Sequence, residues 1–430
     1  MSYACLFVKQ LQRFTSDPFT VATSRETKHV SMHFSLQKSG KEPSALPMIV
    51  TGMMIVVVVM VFARLAFGLI LPGMREGLEL SYRQAGSLGT AMALGYLLLV
   101  LYAGILAAKR GARFTVLLGI AFATAGFIGL SMVDSYLPAL VLMTILGFGT
   151  AFGFTPLISL VSAWFPDKRG QMIGFMVSGV GFGMLLAGYL VPLIIGFFDD
   201  GGWRKAWLVF AAGGTIAFIM AVRFLLNPPQ LDSEPDQPTD RRSVYRNPHV
   251  ITVGTLYGII GVIYMMQFVF MYSFALESGL SSTDAGDLTS MMGALVAISG
   301  PLWGWFGDRF GRALTLLIST TAALVGIATP VLSPDYTGFL AHYVIIGLTM
   351  NGMFISILAI SSERVSLRQA PVAVSFITVF FASGQLIGPL IAGVLIERSG
   401  FGLAFTGACV FLVVGIFLSV RLMRFPTRQS

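Results

Sequence analysis

The sequence predicts an all-α membrane protein in which twelve transmembrane helices form two pseudo-symmetric six-helix bundles. Three observations carry that prediction. Hydrophobic residues make up 55% of the 430-residue chain and charged residues only 11%, against about 25% charged in an ordinary soluble domain. Twelve apolar runs of membrane-crossing length follow one another, and motifs of the first six return in the second six at a constant offset of 200 residues.

A helix rises about 1.5 Å per residue, so about 20 apolar residues cross a hydrocarbon layer of about 30 Å. The first six runs are Met48 to Leu71, Ala85 to Ala107, Phe114 to Val133, Leu137 to Trp164, Gly170 to Phe198 and Ala206 to Leu226. The second six are Val250 to Leu276, Asp287 to Phe306, Ala313 to Leu332, Phe339 to Ile360, Val372 to Ile396 and Phe401 to Leu422. Residues 1–46 are polar and mixed in charge, and their one apolar stretch, Ala4 to Val8, is too short for a secretory signal. They read as a disordered cytoplasmic tail. The bundles fall at 47–226 and 249–424, a linker rich in Pro and Asp lies at 227–248, and 425–430 form a second tail.

The internal repeat needs no alignment. Leu80-Ser81, Ala85-Gly86 and Leu88 return as Leu280-Ser281, Ala285-Gly286 and Leu288, and Gly104, Gly111 and Gly147 return as Gly304, Gly311 and Gly347. Two homologous halves in one membrane protein are the architecture of many secondary transporters.

Basic residues set the orientation. With both tails and the linker on one side, that side holds Lys109, Arg110, Arg113, Lys168, Arg169, Arg241, Arg242, Arg246, Arg309, Arg312, Arg364 and Arg368. The other side holds Arg75, Arg83, Arg204, Lys205 and Arg398. The bias puts both termini in the cytoplasm. It also explains a pI near 9.6 without a nucleic-acid partner. The two cysteines, Cys5 and Cys409, offer neither a disulfide framework nor a thiolate metal site. No phosphate-binding loop, metal-ligand spacing or nucleophile motif is present, so the sequence argues against an enzyme and calls for no cofactor or metal.

After the eighth run the chain reads Gly304-Trp305-Phe306-Gly307-Asp308-Arg309-Phe310-Gly311-Arg312. This resembles the G-x-x-x-D-R-x-G-R loop of the major facilitator superfamily, and the resemblance extends from Met48 to Met423. It implies transport of a small molecule by alternating access. Physically, a tight glycine turn presents a carboxylate to a neighbouring helix N-terminus while arginines reach acidic partners. A gating network of Asp308, Arg309, Glu363 and Arg364, with Gly304, Gly311 and Arg312 shaping the loop, is the expectation. The first-half copy, Gly104 to Arg113, has Ala108 in place of the acid, so a matching first-half latch is in doubt. Gly179, Gly181, Gly183, Gly188, Gly384, Gly388 and Gly393 resemble the superfamily's close-packing glycines. Trp164 to Gly170 is similar to the corresponding loop of organic-anion members, including oxalate/formate and monocarboxylate transporters. Arg64 to Gly68, Leu71-Pro72 and Ser81 to Leu88 are similar to a poorly characterised bacterial branch.

Arg64 is the one clear ionisable residue deep in a run. A cation there costs about 2.5–3.5 kcal/mol on insertion scales, and such residues usually face a bundle interior or a wet cavity. Superfamily resemblance places the first, fourth, seventh and tenth helices around the central cavity. Across the repeat, Arg64 falls on Tyr264, which shares a helical face with Tyr257, Gly261 and Phe268 and is bordered by Gln267. Tyr96, His342, Asn351 and Gln385 are further polar candidates. An arginine beside an aromatic, hydrogen-bonding face suits a carboxylate attached to a small apolar body. The sequence therefore favours a small organic anion carried across a bacterial inner membrane by a multi-pass protein that works as a monomer. Two alternatives stay open: efflux of hydrophobic or cationic drugs, which Arg64 opposes by like charge, and a receptor of the same fold that moves nothing. The bland reading of Arg64 is a snorkelling or backbone-bonded side chain.

Overall fold

The computed structural model describes residues 45–198, 201–228, 241–366 and 369–424. The expectations for the two tails, apart from Ala45 and Leu46, for most of the linker and for Arg368 lie outside the described residues. Every element within them is helical. In chain order these are α1 (Ala45–Val56), a π segment (Val57–Leu65), α2 (Phe67–Gly77), α3 (Tyr82–Arg110), α4 (Ala112–Ser131), α5 (Tyr136–Trp164), α6 (Arg169–Val177) and α7 (Gly179–Phe197). There follow α8 (Gly202–Phe224), α9 (Arg241–Tyr245), α10 (Pro248–Glu277), α11 (Ser282–Phe310), α12 (Arg312–Leu332), α13 (Tyr336–Ser362) and α14 (Ala370–Met423).

Ten helical stretches are long and apolar enough to cross a membrane. Two features bring the crossings to the expected twelve. The 54 residues of α14 are interrupted at Gly400, whose φ of 79° breaks the helix and separates two crossings. The less apolar α11 has 29 residues, the same length as its repeat partner α3.

The 200-residue repeat has a local physical cause at both ends of these partners. Ser81 caps α3 by accepting a hydrogen bond from the Gln84 amide at 3.2 Å, and Ser281 caps α11 by accepting one from the Asp284 amide at 3.0 Å. Both helices end at a glycine with left-handed φ, Gly111 at 90° and Gly311 at 92°. Only glycine adopts that conformation without cost, which permits the abrupt turn into α4 and α12.

The two sets of helices meet chiefly where α3 packs on α14 and where α7 packs on α11. Two hydrogen bonds cross this seam at repeat-related positions. Thr90 Oγ1 donates to the Leu386 carbonyl at 2.9 Å, and Ser290 Oγ donates to the Leu185 carbonyl at 3.0 Å. Nearby, Gly86 lies against the Pro389 backbone and Gly286 against Gly188 and Pro192, so closely that a methyl group on either glycine would collide with a carbonyl. An aromatic and ionic cluster covers the end of the seam. The Tyr82 hydroxyl donates to Glu277 at 2.7 Å, Arg75 stands 3.8 Å from the same carboxylate, and the Tyr82 ring meets Phe401 edge-on at 5.2 Å.

These contacts run from the middle of the seam to the face opposite the two ends of the described chain. Toward the chain-end face the seam is open. The buried residues of α11 stop at Ser299, α6 buries only Met176, and Gly104, Gly170, Gly174 and Gly304 face open space.

This asymmetry makes a prediction. Gly86→Ala and Gly286→Ala overpack the closed end of the seam, at a cost of about 1–3 kcal/mol each. They are expected to lengthen the distance between spin labels on the exposed residues Ser135 and Thr337. Gly104→Ala and Gly304→Ala, which enter open space, are expected to leave that distance unchanged.

Candidate functional site

The first crossing is not a simple α-helix. Over Val57–Leu65 it widens to a π-helix, and the Ala66 amide donates to the Val61 carbonyl at 2.8 Å. Such widenings recur at functional sites because they displace side chains from the regular helical register. A neighbouring helix supports this one: Thr150 Oγ1, on α5, donates to the Val59 carbonyl at 2.7 Å. The last turn of the π segment carries Arg64, which is 4% exposed.

The guanidinium of Arg64 reaches into the second half of the chain. Its Nη2 donates to Gln385 Oε1 on α14, and its carbon lies over the Tyr96 ring of α3, 5.0 Å from the centroid. Tyr96 and Tyr264 both lie within electrostatic reach of it. Its Nε is buried and has no hydrogen-bond partner. Among the described residues no carboxylate pairs with it. Neutral groups therefore surround a guanidinium in the interior, where a buried charge is costly unless something balances it.

Opposite the arginine stands an aromatic wall. The Tyr264 ring, on α10, packs against Phe268 at 4.7 Å, Phe354 of α13 at 5.4 Å and Phe381 of α14 at 5.8 Å. Tyr257 stacks on Phe381 at 4.3 Å. Tyr264, Phe354 and Phe381 are only half-buried, whereas Tyr257 is buried. Gln267 borders a small cavity that also touches Leu65, Leu69 and Met184 of the first half and Phe268, Met271 and Met292 of the second.

The structure thus gathers four of the expected binding residues, Arg64, Tyr96, Tyr264 and Gln385, around one point, with Gln267 in an adjoining cavity. It places the other two elsewhere. Asn351 donates to the Val296 carbonyl at 2.8 Å and to Ser299 Oγ at 2.9 Å, which ties α13 to α11. His342 is fully buried, with Nδ1 2.8 Å from the Gly326 carbonyl of α12, inside the second set of helices. Phe354, Phe381 and Thr150 belong to the site without having been singled out in the sequence. Phe354 lies three residues beyond Asn351 and Phe381 four before Gln385, so their helical faces were legible but their apolar side chains gave no signal of their own.

The loop network differs from expectation. Glu363 pairs with Arg312 at 3.8 Å, and Arg309 lies over the Phe310 ring at 5.8 Å. Asp308 makes no ion pair or hydrogen bond among the described residues, so the four-residue network of Asp308, Arg309, Glu363 and Arg364 is not assembled in this conformation. Glu363 is engaged by Arg312, the first residue of α12, and Gly304 of the same loop faces open space. The Arg364 carbonyl accepts from Asn247 Nδ2 at 3.4 Å. Partial burial pushes the Glu363 carboxyl up from its ordinary value, and Arg312 and Arg364 pull it back.

Known proteins agree with this architecture. The nucleoside transporter NupG superposes with a TM-score of 0.72 at 14% identity, over 89% of this chain and 99% of that one. Monocarboxylate transporter 11 of Homo sapiens is 24% identical over 74% of this chain and 70% of its own length. The oxalate:formate antiporter of Oxalobacter formigenes is 23% identical over 57% of this chain and 60% of its own length. The uncharacterized transporter ESBP6 of Saccharomyces cerevisiae is 26% identical over 39% of this chain, which spans only 26% of that protein. Residues 56–420 match the family described as "Uncharacterised MFS-type transporter YbfB", a match that covers both sets of helices and the Arg64 site, and the chain belongs to that family of major facilitator transporters.

Proposed function

We propose that this transporter carries a small organic monocarboxylate across the bacterial inner membrane by alternating access, with both chain termini in the cytoplasm. The observation that carries the reading is Arg64: a buried guanidinium bonded to an amide and lying over an aromatic face, with no carboxylate paired with it among the described residues. A substrate carboxylate supplies the missing charge, and the Tyr264, Phe354 and Phe381 surface takes its apolar body. One cation matches one carboxylate. The similarities to monocarboxylate transporters and an oxalate:formate antiporter point the same way.

The surplus of Lys and Arg at the chain-end face supports the orientation. In that orientation the closed end of the seam is outside and the open end faces the cytoplasm. Rocking of residues 47–226 against residues 249–424 would then expose Arg64 alternately to the two sides, and closure at the cytoplasmic face would bring Asp308, Arg309, Glu363 and Arg364 toward the opposing helices.

Counterflow into proteoliposomes tests the reading, with 14C-labelled formate, lactate and phenylacetate as probes and a cationic dye as contrast. At least one acid is expected to accumulate against unlabelled acid inside. Arg64→Ala removes the one charge in the site, and loss of a buried charged partner costs about 2–5 kcal/mol, so its apparent affinity is expected to fall about 30-fold or more. Tyr264→Phe, which keeps the ring, is expected to cost about tenfold, in line with one hydrogen bond to a charged group. Dye transport with no acid transport, unchanged in Arg64→Ala, would move the assignment to efflux. Movement of neither would favour a receptor.

A further inference from the structure

We infer that Gln267 is a specificity-determining residue, whose side-chain amide hydrogen-bonds an uncharged oxygen on the chain of the transported acid, set apart from the carboxylate. The inference rests on the anion reading above and names a feature of the substrate that Arg64 does not read.

The first observation is an unpaired amide. Gln267 lies on α10 and is 7% exposed, and among the described residues its side chain makes no hydrogen bond. An amide has two donors and an acceptor oxygen, and leaving them unmade in the interior is costly. Polar side chains in neighbouring crossings are satisfied within the protein. Gln385 accepts from Arg64, Asn351 donates to the Val296 carbonyl, and Thr349 Oγ1 donates to the Ile345 carbonyl. Trp207, Ser273 and His342 each keep a buried atom without a partner, but none of them borders either described cavity.

The second observation is that Gln267 borders both. One cavity lies in the seam, between Leu65 and Leu69 of the first half and Met271 and Met292 of the second. The other lies inside the second set of helices, beside Ile327 and Met350, and Gln267 and Phe268 form the wall common to the two. Each has room for a group about the size of a water molecule, which suits a substituent and not a whole substrate. In the seam cavity the other polar side chains are already engaged. The Tyr272 hydroxyl donates to the Ser282 carbonyl at 3.2 Å, Thr289 Oγ1 donates to the Ala285 carbonyl at 2.9 Å, and Tyr343 is hydrogen-bonded to Thr289.

Helical register sets the distance. Tyr264 is within electrostatic reach of Arg64, and Gln267 stands three residues on, about 4.5 Å further along α10. Leu65 and Leu69, which face the same cavity, likewise follow Arg64 along the first crossing. A close approach fixes the two crossings against each other here: Gly68 lies on the Phe268 backbone, where a methyl group would collide with the carbonyl. With a carboxylate at Arg64, an oxygen on the adjacent carbon stays beside Arg64 and Tyr264, whereas one further along an extended chain comes to Gln267.

The test reads apparent affinities from the concentration dependence of thermal stabilisation of the purified protein. Its probes are butyrate with its 2-hydroxy and 4-hydroxy derivatives, and pentanoate with 4-oxopentanoate. Wild type is expected to bind at least one of the two 4-substituted acids about tenfold more tightly than its plain parent, and 2-hydroxybutyrate no more tightly than butyrate. In Gln267→Leu and Gln267→Met that preference is expected to vanish while the plain acids still bind, whereas Arg64→Ala is expected to lose all of them. Equal binding of plain and 4-substituted acids by wild type would overturn the role of Gln267, and so would a preference that survives in both variants or one for 2-hydroxybutyrate alone. Binding of the plain acids in any of these cases leaves the anion reading standing. Loss of every acid in both variants would make Gln267 a packing residue and overturn the inference. No stabilisation of wild type by any acid would remove the anion reading, and this inference with it.

Discussion

A guanidinium buried without a counter-ion among the described residues is the constraint on which the rest of this molecule turns. Arg64 costs free energy in the middle of a membrane, and the surrounding structure offsets only part of it. Gln385 accepts one hydrogen bond, Tyr96 offers its ring face, and the Nε remains unsatisfied. The π segment that holds Arg64 depends in turn on Thr150 of α5, which bonds the Val59 carbonyl. Three crossings far apart in sequence thus contribute to one charge. Because Gln385 belongs to the second set of helices and Arg64 to the first, the same contact also joins the two sets.

The seam between the two sets is built for backbone contact at one end only. Glycines at 86, 188 and 286 bring backbones together where side chains would hold them apart, and Thr90 and Ser290 add one hydrogen bond each to carbonyls across the seam. Close approach of small residues is how helices associate in lipid, where the hydrophobic effect supplies no drive. The Thr90 and Ser290 bonds and the Gly86 and Gly286 contacts stand at repeat-related positions on the two sides of the seam. The Arg75, Tyr82 and Glu277 cluster adds little rigidity, since its charges are partly exposed and pairs of that kind contribute about 1 kcal/mol or less.

Most of the architecture was legible in the sequence because its causes are local. Leu80-Ser81 and Leu280-Ser281 recur because each serine caps a 29-residue helix, and Gly111 and Gly311 recur because each turn needs a left-handed φ. Arg64, Tyr264, Gln385 and Tyr96 were legible as polar residues in apolar runs. Their convergence was not, because it depends on which helical faces meet. The same limit explains the residues that went elsewhere: Asn351 and His342 are polar residues in crossings too, yet each satisfies a carbonyl within its own set of helices. The π segment left no mark, since Val57 to Val59 reads as ordinary apolar helix. The Asp308 loop shows the same limit: its motif is legible, but Glu363 pairs with Arg312 and not with Asp308 or Arg309.

Ligand-dependent thermal stabilisation of the purified protein tests the central claim most directly, because it requires neither transport nor a known direction. A panel of small carboxylates, aromatic acids and cationic dyes is applied to wild type and to Arg64→Ala. The account predicts that an acid raises the melting temperature of wild type in a concentration-dependent way, and that the shift vanishes in Arg64→Ala. Stabilisation by cations or apolar dyes alone, equal in the two proteins, would contradict it.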